Sequence, residues 1–66
     1  MIGKITLEKI DQFAREQDGQ CVVYKTSDGK VGICSLDSPR PKNTWDWDYY
    51  FTDEPENFPK ERFLID

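Results

Sequence analysis

The sequence contains no histidine and only two cysteines, Cys21 and Cys34, among its 66 residues. The absence of histidine removes the most common general base and the most common metal ligand of proteins. Two cysteines are too few for a disulfide framework, and without histidine they cannot complete a tetrahedral zinc shell. No apolar run is long enough for a signal peptide or a membrane-spanning helix. We therefore expect a protein of the cytoplasm with reduced thiols and no cofactor.

Recognisable catalytic motifs are absent as well. The serines have no histidine partner, and neither cysteine has a basic cluster beside it that would lower its pKa. Asp46 and Asp48 form a carboxylate pair, but acid–base catalysis needs one carboxyl group shielded from water, which an outward-facing strand does not provide. The carboxylates of residues 43–57 are hard oxygen ligands, yet an extended strand would spread them too far apart for calcium. We expect neither an enzyme nor a metal-binding protein.

Basic residues are missing from NTWDWDYYFTDEPEN, residues 43–57, in which aromatic rings alternate with carboxylates. This segment carries five of the 13 acidic residues, whereas the rest of the chain holds eight acidic and nine basic residues. The net charge of −4 therefore belongs to this one segment. Such a surface suits a basic macromolecule as partner better than nucleic acid or an anionic membrane.

Strand periodicity divides this segment into two faces. The aromatic residues at odd positions share one face, and we expect them to pack into the core against a helix. Asp46 and Asp48 share the other face with Tyr50, which we expect to point into solvent as an interface anchor. In the alternative, the odd-position aromatics are exposed and form a platform for a sugar or a cationic peptide. The odd-position set is Trp45, Trp47, Tyr49 and Phe51.

An amphipathic helix is predicted near the start of the chain, over TLEKIDQFAREQDG. Thr6 can cap this helix, because its hydroxyl accepts from the free amide groups of the first turn. Asp11 and Arg15 are placed to pair across one turn, and Gly19 suits the left-handed residue that ends a helix. Apolar side chains at helical spacing form one face, which consists of Leu7, Ile10, Phe13 and Ala14.

A β-hairpin is predicted where QCVVYKT and KVGICSL flank SDG. If Asp28 and Gly29 form a two-residue loop, Cys21 and Cys34 share a face of the sheet. If Gly29 is instead the bulge of a three-residue loop, the two cysteines face opposite sides. Neither register places them directly opposite each other, so we expect no disulfide.

The rest of the chain completes a single domain over residues 1–66. DSPRPKN predicts a connecting loop, and DEPENFP predicts a proline-broken acidic turn. KERFLID predicts a short final strand. The expected fold class is α+β, with one N-terminal amphipathic helix packed on a three- to four-stranded antiparallel sheet.

A small, histidine-free chain with a segregated acidic face resembles phage-encoded inhibitors, including anti-CRISPR proteins and DNA mimics. The resemblance is one of size and charge over the whole chain and rests on no motif. It implies an inhibitor in the host bacterial cytosol that occupies the target-DNA-binding or PAM-reading surface of a CRISPR effector. We expect a monomer that binds this basic protein surface rather than nucleic acid or a membrane; an accessory subunit of a larger assembly is a further alternative. The predicted contact residues are Asp46, Asp48, Tyr50, Asp53, Glu54 and Glu56.

Overall fold

The computed structural model describes residues 5–63 and forms an α+β fold, as predicted. Its three strands are ordered β2-β1-β3, and both neighbouring pairs are antiparallel. Helix α1 packs on one face of the sheet, which we call the inner face; the opposite face is the outer face. None of the helices in this part of the chain has the length and apolarity needed to cross a membrane. The elements are α1 (Leu7–Glu16), β1 (Gln20–Thr26), β2 (Val31–Cys34), β3 (Thr44–Phe51), a 3₁₀ turn (Pro55–Asn57) and α2 (Lys60–Phe63).

Helix α1 begins and ends as its sequence predicts. The Thr6 hydroxyl accepts a hydrogen bond of 3.2 Å from the backbone N–H of Lys9, which caps the first turn. Arg15 donates to Asp11 across one turn at 2.6 Å. Gly19 has a φ of 85°, and its N–H donates to the carbonyl of Ala14 at 2.7 Å. This left-handed end turns the chain directly into β1.

The β1–β2 hairpin has a three-residue loop. Lys25 pairs with Val31, the N–H of Thr26 donates to the carbonyl of Lys30 at 2.9 Å, and Gly29 has a φ of 87°. A positive φ at this position favours glycine, because glycine has no Cβ to clash with the backbone. The register therefore follows the second alternative, in which the two cysteines point to opposite faces. Both thiols are free.

A single small core lies between the inner face and the two helices. Phe58 stacks on Phe63 with ring centroids 5.6 Å apart, and it meets Tyr50 edge to face at the same distance. Apolar side chains from α1 and β1 complete this cluster. Its buried members are Ile10, Ala14, Cys21, Val23, Tyr50, Phe58 and Phe63.

The prediction of a final strand over KERFLID is wrong for residues 60–63, which form the short helix α2. Pro59 precedes this helix, and proline has a backbone φ suited to a helical first turn. Lys60, Glu61 and Arg62 are good helix formers, which lets Phe63 turn into the core. The last three residues of the predicted strand lie outside the described residues.

The predicted orientation of β3 is also wrong. Tyr50 is only 1% exposed, whereas the odd-position aromatics are exposed, and Trp47, Tyr49 and Phe51 share the outer face with Tyr24, Val22 and Gln20. Period two shows which residues share a face, but it does not show which face a helix covers. Here Tyr50 pairs with Cys21 and Asp48 pairs with Val23, so these positions of β3 share the inner face with the core residues of β1. The exposed fractions are 62% for Trp45, 40% for Trp47, 42% for Tyr49 and 37% for Phe51.

Candidate binding surface

Four exposed aromatic side chains follow one another along β3, and we call them the aromatic row. The rings of Trp47 and Tyr49 pack edge to face, with centroids 5.1 Å apart and planes at 84°. The rings of Tyr49 and Phe51 lie 6.2 Å apart and are tilted by 38°. From Trp47 to Phe51 the row is therefore a ridged surface of packed rings rather than a flat stacking platform. Its members are Trp45, Trp47, Tyr49 and Phe51.

The aromatic row rests on a buried layer of the outer face. Val22 pairs with Tyr49 in the register of the sheet and is completely buried, although no helix within residues 5–63 covers this face. Tyr24, the partner of Trp47, lies with its ring over Gly32, where a Cβ atom would overlap it. Side chains of the row and its neighbours therefore exclude water from the outer face of β1. The packing beneath the row favours a defined surface over freely moving side chains.

Two cations of the protein lie against the tryptophans of the row. The guanidinium of Arg40 sits 4.4 Å from the ring centre of Trp47, and the Lys25 ammonium lies 5.7 Å from that of Trp45. Trp45 lies at a bulge where β3 has one residue more than β1, and its indole N–H donates to the carbonyl of Thr26 at 2.9 Å. The protein's own side chains thus make the contacts that a cationic ligand would need.

Asp46 and Asp48 do not form a free acidic row, because both pair with Arg62 of α2. Arg62 donates to Asp48 at 2.9 Å and binds Asp46 through two of its nitrogens, with Nε at 3.2 Å. The hydrogen bonds from Arg62 hold the pKa of Asp46 below its usual value. One arginine therefore offsets half the charge of the predicted carboxylate pair, which helps to fasten α2 to β3.

Tyr50 belongs to the core and is not the exposed interface anchor that the sequence predicted. Its hydroxyl donates a hydrogen bond of 2.7 Å to Asp11 of α1. Burial, followed by this hydrogen bond, raises the pKa of Tyr50 to about 12. The pKa of Asp11 is lowered, first by its hydrogen bond to Arg15 and then by that to Tyr50. A tyrosine with one polar partner for its hydroxyl fits the core as well as a phenylalanine does.

The remaining predicted contact residues stay exposed in the turn that follows β3. Asp53, Glu54 and Glu56 are close together in sequence at the Phe51 end of the aromatic row. Glu54 accepts a hydrogen bond of 3.1 Å from the side chain of Asn57. Within residues 5–63, none of these three carboxylates forms an ion pair. They make the turn that follows the aromatic row acidic, and its later residues, 55–57, lie beside Leu7 of α1.

The rest of the described molecule offers little chemistry. Burial raises the pKa of Cys21 to about 11 and also raises that of Cys34, so both thiols stay protonated near neutral pH. No group of three His, Cys, Asp or Glu side chains between residues 5 and 63 is arranged to hold a metal ion. The surface depression beside the 3₁₀ turn is lined by Leu7 and residues 55–61 and is open to solvent.

Sequence reasoning identified the aromatic row only as an alternative, and it missed the contribution of Arg40. One signal was present in β1, where Cys21, Val22 and Val23 are apolar in succession. A strand with consecutive apolar residues is typical of burial on both faces, which predicts that side chains also cover the outer face. No family model matches this chain, and neither the curated proteins nor the solved structures contain a match to it.

Proposed function

We propose that this protein is a protein-binding module, acting as a small inhibitor does, and that the aromatic row is its contact surface. The observation that carries the proposal is the exposure of four large aromatic side chains on one face of so small a molecule. Since an aromatic side chain offers about 150–250 Å² of surface, the exposed fractions amount to roughly 400 Å². An apolar patch of this size on a small protein marks an interaction site.

The shape of the row supports a protein partner over a sugar. Stacking of a sugar ring needs an aromatic ring that presents its face, whereas Trp47 and Tyr49 are locked edge to face. A small-molecule site is concave and buries most of its ligand, whereas the outer face of the sheet is open. A ridged, open surface matches the interdigitating side chains of a protein interface.

Composition supports the same conclusion. Tryptophan, tyrosine and arginine dominate the binding energy of protein interfaces, and the row with Arg40 contains all three. Because the side chains are already packed on Val22 and on one another, they lose little conformational entropy on binding. The row therefore has the residue types and the preorganisation of an interface hot spot.

Binding to purified CRISPR effectors, alone and loaded with guide RNA, tests this function and the target class together. We expect Trp47→Ala and Tyr49→Ala each to weaken binding to the inhibited effector about tenfold or more, as hot-spot truncations do. Leu36→Ala is the matched control, since Leu36 is an exposed apolar side chain outside the row, and it should change the affinity by less than about twofold. Wild-type affinity in both aromatic variants would overturn the proposal, and failure of every effector to bind would reject the CRISPR target.

A second candidate keeps the acidic face as the contact surface, restricted to the turn after β3. It is favoured by the exposure of Asp53, Glu54 and Glu56 and by the lack of ion pairs to them among the described residues. The triple change to Asn, Gln and Gln separates the two candidates in the same assay. Loss of inhibition in this variant, with full activity in Trp47→Ala, would favour a charge mimic that acts by electrostatic competition.

A further inference from the structure

Charged side chains are sorted by sign along the aromatic row. Toward the Trp45 end, Arg40 lies over the ring of Trp47, and Lys42 stands two residues before β3 begins. At the Phe51 end lie the exposed carboxylates of the turn, which are Asp53, Glu54 and Glu56. Along the direction of β3, the aromatic row thus runs from a basic end to an acidic end.

We propose that the partner of the aromatic row is a second copy of this chain, packed sheet against sheet about a two-fold axis. This inference rests on the proposed function of the row as a protein-binding surface. A two-fold axis perpendicular to β3 runs the two rows in opposite directions, so the basic end of each copy faces the acidic end of the other. Any other partner would need this order of charges, whereas a second copy has it by symmetry.

The free edge of β3 supports face-to-face packing over edge-to-edge pairing. At this edge the N–H of Tyr49 is taken by the Asp48 carboxylate at 2.7 Å. The carbonyl of Trp47 accepts from Arg62 at 3.5 Å. Because side chains of the same molecule occupy these groups, a second strand cannot add to the sheet without displacing them. On the outer face, residues 5–63 leave between 37% and 42% of Trp47, Tyr49 and Phe51 exposed.

The area of the outer face sets the size of the interface that a dimer can form. The row contributes roughly 400 Å² of aromatic surface per copy. The half-buried rim residues Gln20, Tyr24 and Arg40 extend this toward the roughly 600–800 Å² per partner that the smaller stable interfaces bury. Because obligate dimers bury a larger area, we expect a reversible dimer rather than an obligate one. An inhibited target that binds the row must displace the second copy, which couples inhibition to the concentration of the protein.

Sedimentation equilibrium over about 1 to 500 μM protein tests the inference. We expect the mass to rise from the 7.8 kDa of one chain to twice that value. Tryptophan emission should shift to the blue over the same concentration range, because the dimer covers Trp45 and Trp47. A mass of one chain at every concentration would overturn the proposal.

Charge reversal tests the orientation without removing any aromatic side chain. Arg40→Glu and Asp53→Lys each place like charges at both ends of the dimer, so each should weaken self-association about tenfold or more. An equimolar mixture of the two variants restores opposite charges at both ends and should form a heterodimer of wild-type affinity. Glu8→Lys, on the exposed side of α1, makes the same change of net charge as Asp53→Lys and should leave the dimer unchanged.

The outcomes separate this inference from the proposed function. Wild-type dimerisation by either single variant, or a mixture no tighter than its components, would reject the antiparallel arrangement. A monomeric protein whose effector binding still depends on Trp47 would reject the second copy and leave the binding function intact. Far-UV circular dichroism of each variant confirms that a loss of dimer is not a loss of fold.

Discussion

Tyr49 and Tyr50 are neighbours in the chain but have opposite surroundings. Tyr50 is buried against Phe58 and donates its hydroxyl proton to Asp11, whereas Tyr49 is exposed among the rings of the aromatic row. The difference follows from the alternation of side chains along a strand, which sends successive residues to opposite faces. These two tyrosines are therefore a matched pair for testing which face of β3 is inside.

Replacing Tyr50 by Phe should lower the free energy of unfolding by about 0.5–1.5 kcal/mol, the usual net value of one hydrogen bond. The cost is limited because Asp11 keeps its bond to Arg15. Tyr49→Phe is the control and should change the free energy by less than about 0.5 kcal/mol, as surface changes do. Urea unfolding at neutral pH measures both values, and equal losses would contradict the assigned faces.

Stability should also fall at alkaline pH. The folded state raises the pKa of Tyr50 to about 12, whereas an unfolded tyrosine titrates near 10. Folding thus favours the neutral form of Tyr50. The contribution of this hydroxyl to the free energy of unfolding is complete below about pH 10 and is lost as the pH approaches 12. Cys21, with a pKa raised to about 11, adds a fall in the same direction.

The slope of the unfolding free energy against pH is obtained from measurements at pH 8, 10 and 11. We expect Tyr50→Phe to reduce the slope between pH 10 and 11 without abolishing it, since Cys21 still titrates. If the free energy of unfolding of Tyr50→Phe falls with pH as steeply as that of the wild type, the Tyr50 hydroxyl is not held in its neutral form.

At the scale of elements, Arg62 joins α2 to β3 through Asp46 and Asp48. Arg62→Gln should lower the thermal unfolding midpoint modestly, since the pairs are largely exposed to solvent. Because the pKa of Asp46 is lowered in the folded state, its ionised carboxylate stabilises the fold above about pH 4. This stabilisation is lost as the pH falls through the pKa of the folded state. The difference between variant and wild type should therefore be largest near pH 7 and disappear by about pH 2–3.

Lys60→Gln removes a positive charge from the same helix at an exposed position and serves as the control. Lys60→Gln should leave the thermal unfolding midpoint unchanged both near pH 7 and at about pH 2–3. A difference between Arg62→Gln and wild type that persists undiminished at low pH would indicate that Arg62 acts through packing rather than through the two carboxylates.

The contact between β1 and β2 on the outer face depends on a missing side chain. Gly32→Ala places a Cβ where the ring of Tyr24 lies, so we expect a loss of about 1–3 kcal/mol from overpacking. In a Tyr24→Ala background the same change should cost much less, because the overlapping ring is gone. A double-mutant cycle by chemical denaturation measures the coupling. If Gly32→Ala costs the same free energy of unfolding in the wild type and in Tyr24→Ala, the ring of Tyr24 does not lie over Gly32.

Predictability from the sequence differs from one element to the next. Helix α1 was predicted because its cap, apolar spacing, Asp11–Arg15 pair and terminal glycine all indicate the same structure. The hairpin was predicted, but its register required the observed pairing of Lys25 with Val31, because a left-handed Gly29 fits both loops. The face of β3 was not predictable from its own period, because both faces carry a large ring. Phe58 and Phe63 fill the core that the row was expected to fill, and their part depends on contacts distant in sequence.

At the scale of the whole molecule, one sheet carries two aromatic layers, and the described structure covers only one of them. A domain of this length buries only about 60% of the surface of its unfolded chain, so its core is small. The aromatic row covers Val22, but the exposed part of its rings lowers solubility unless a partner covers it. The residues of the aromatic row could be identified from the sequence. Their exposure could not, because it depends on which face of the sheet the helices cover.

Nuclear Overhauser contacts of the aromatic rings test the central claim most directly, namely that the aromatic row lies outside and Tyr50 inside. At a protein concentration low enough to favour the monomer, we expect contacts from the Tyr50 ring to the methyl groups of Ile10 and Ala14. We expect none from the rings of Trp47 and Tyr49 to those methyl groups. The reverse pattern, with Trp47 and Tyr49 in contact with Ile10 and Ala14 and Tyr50 in solvent, would contradict the claim.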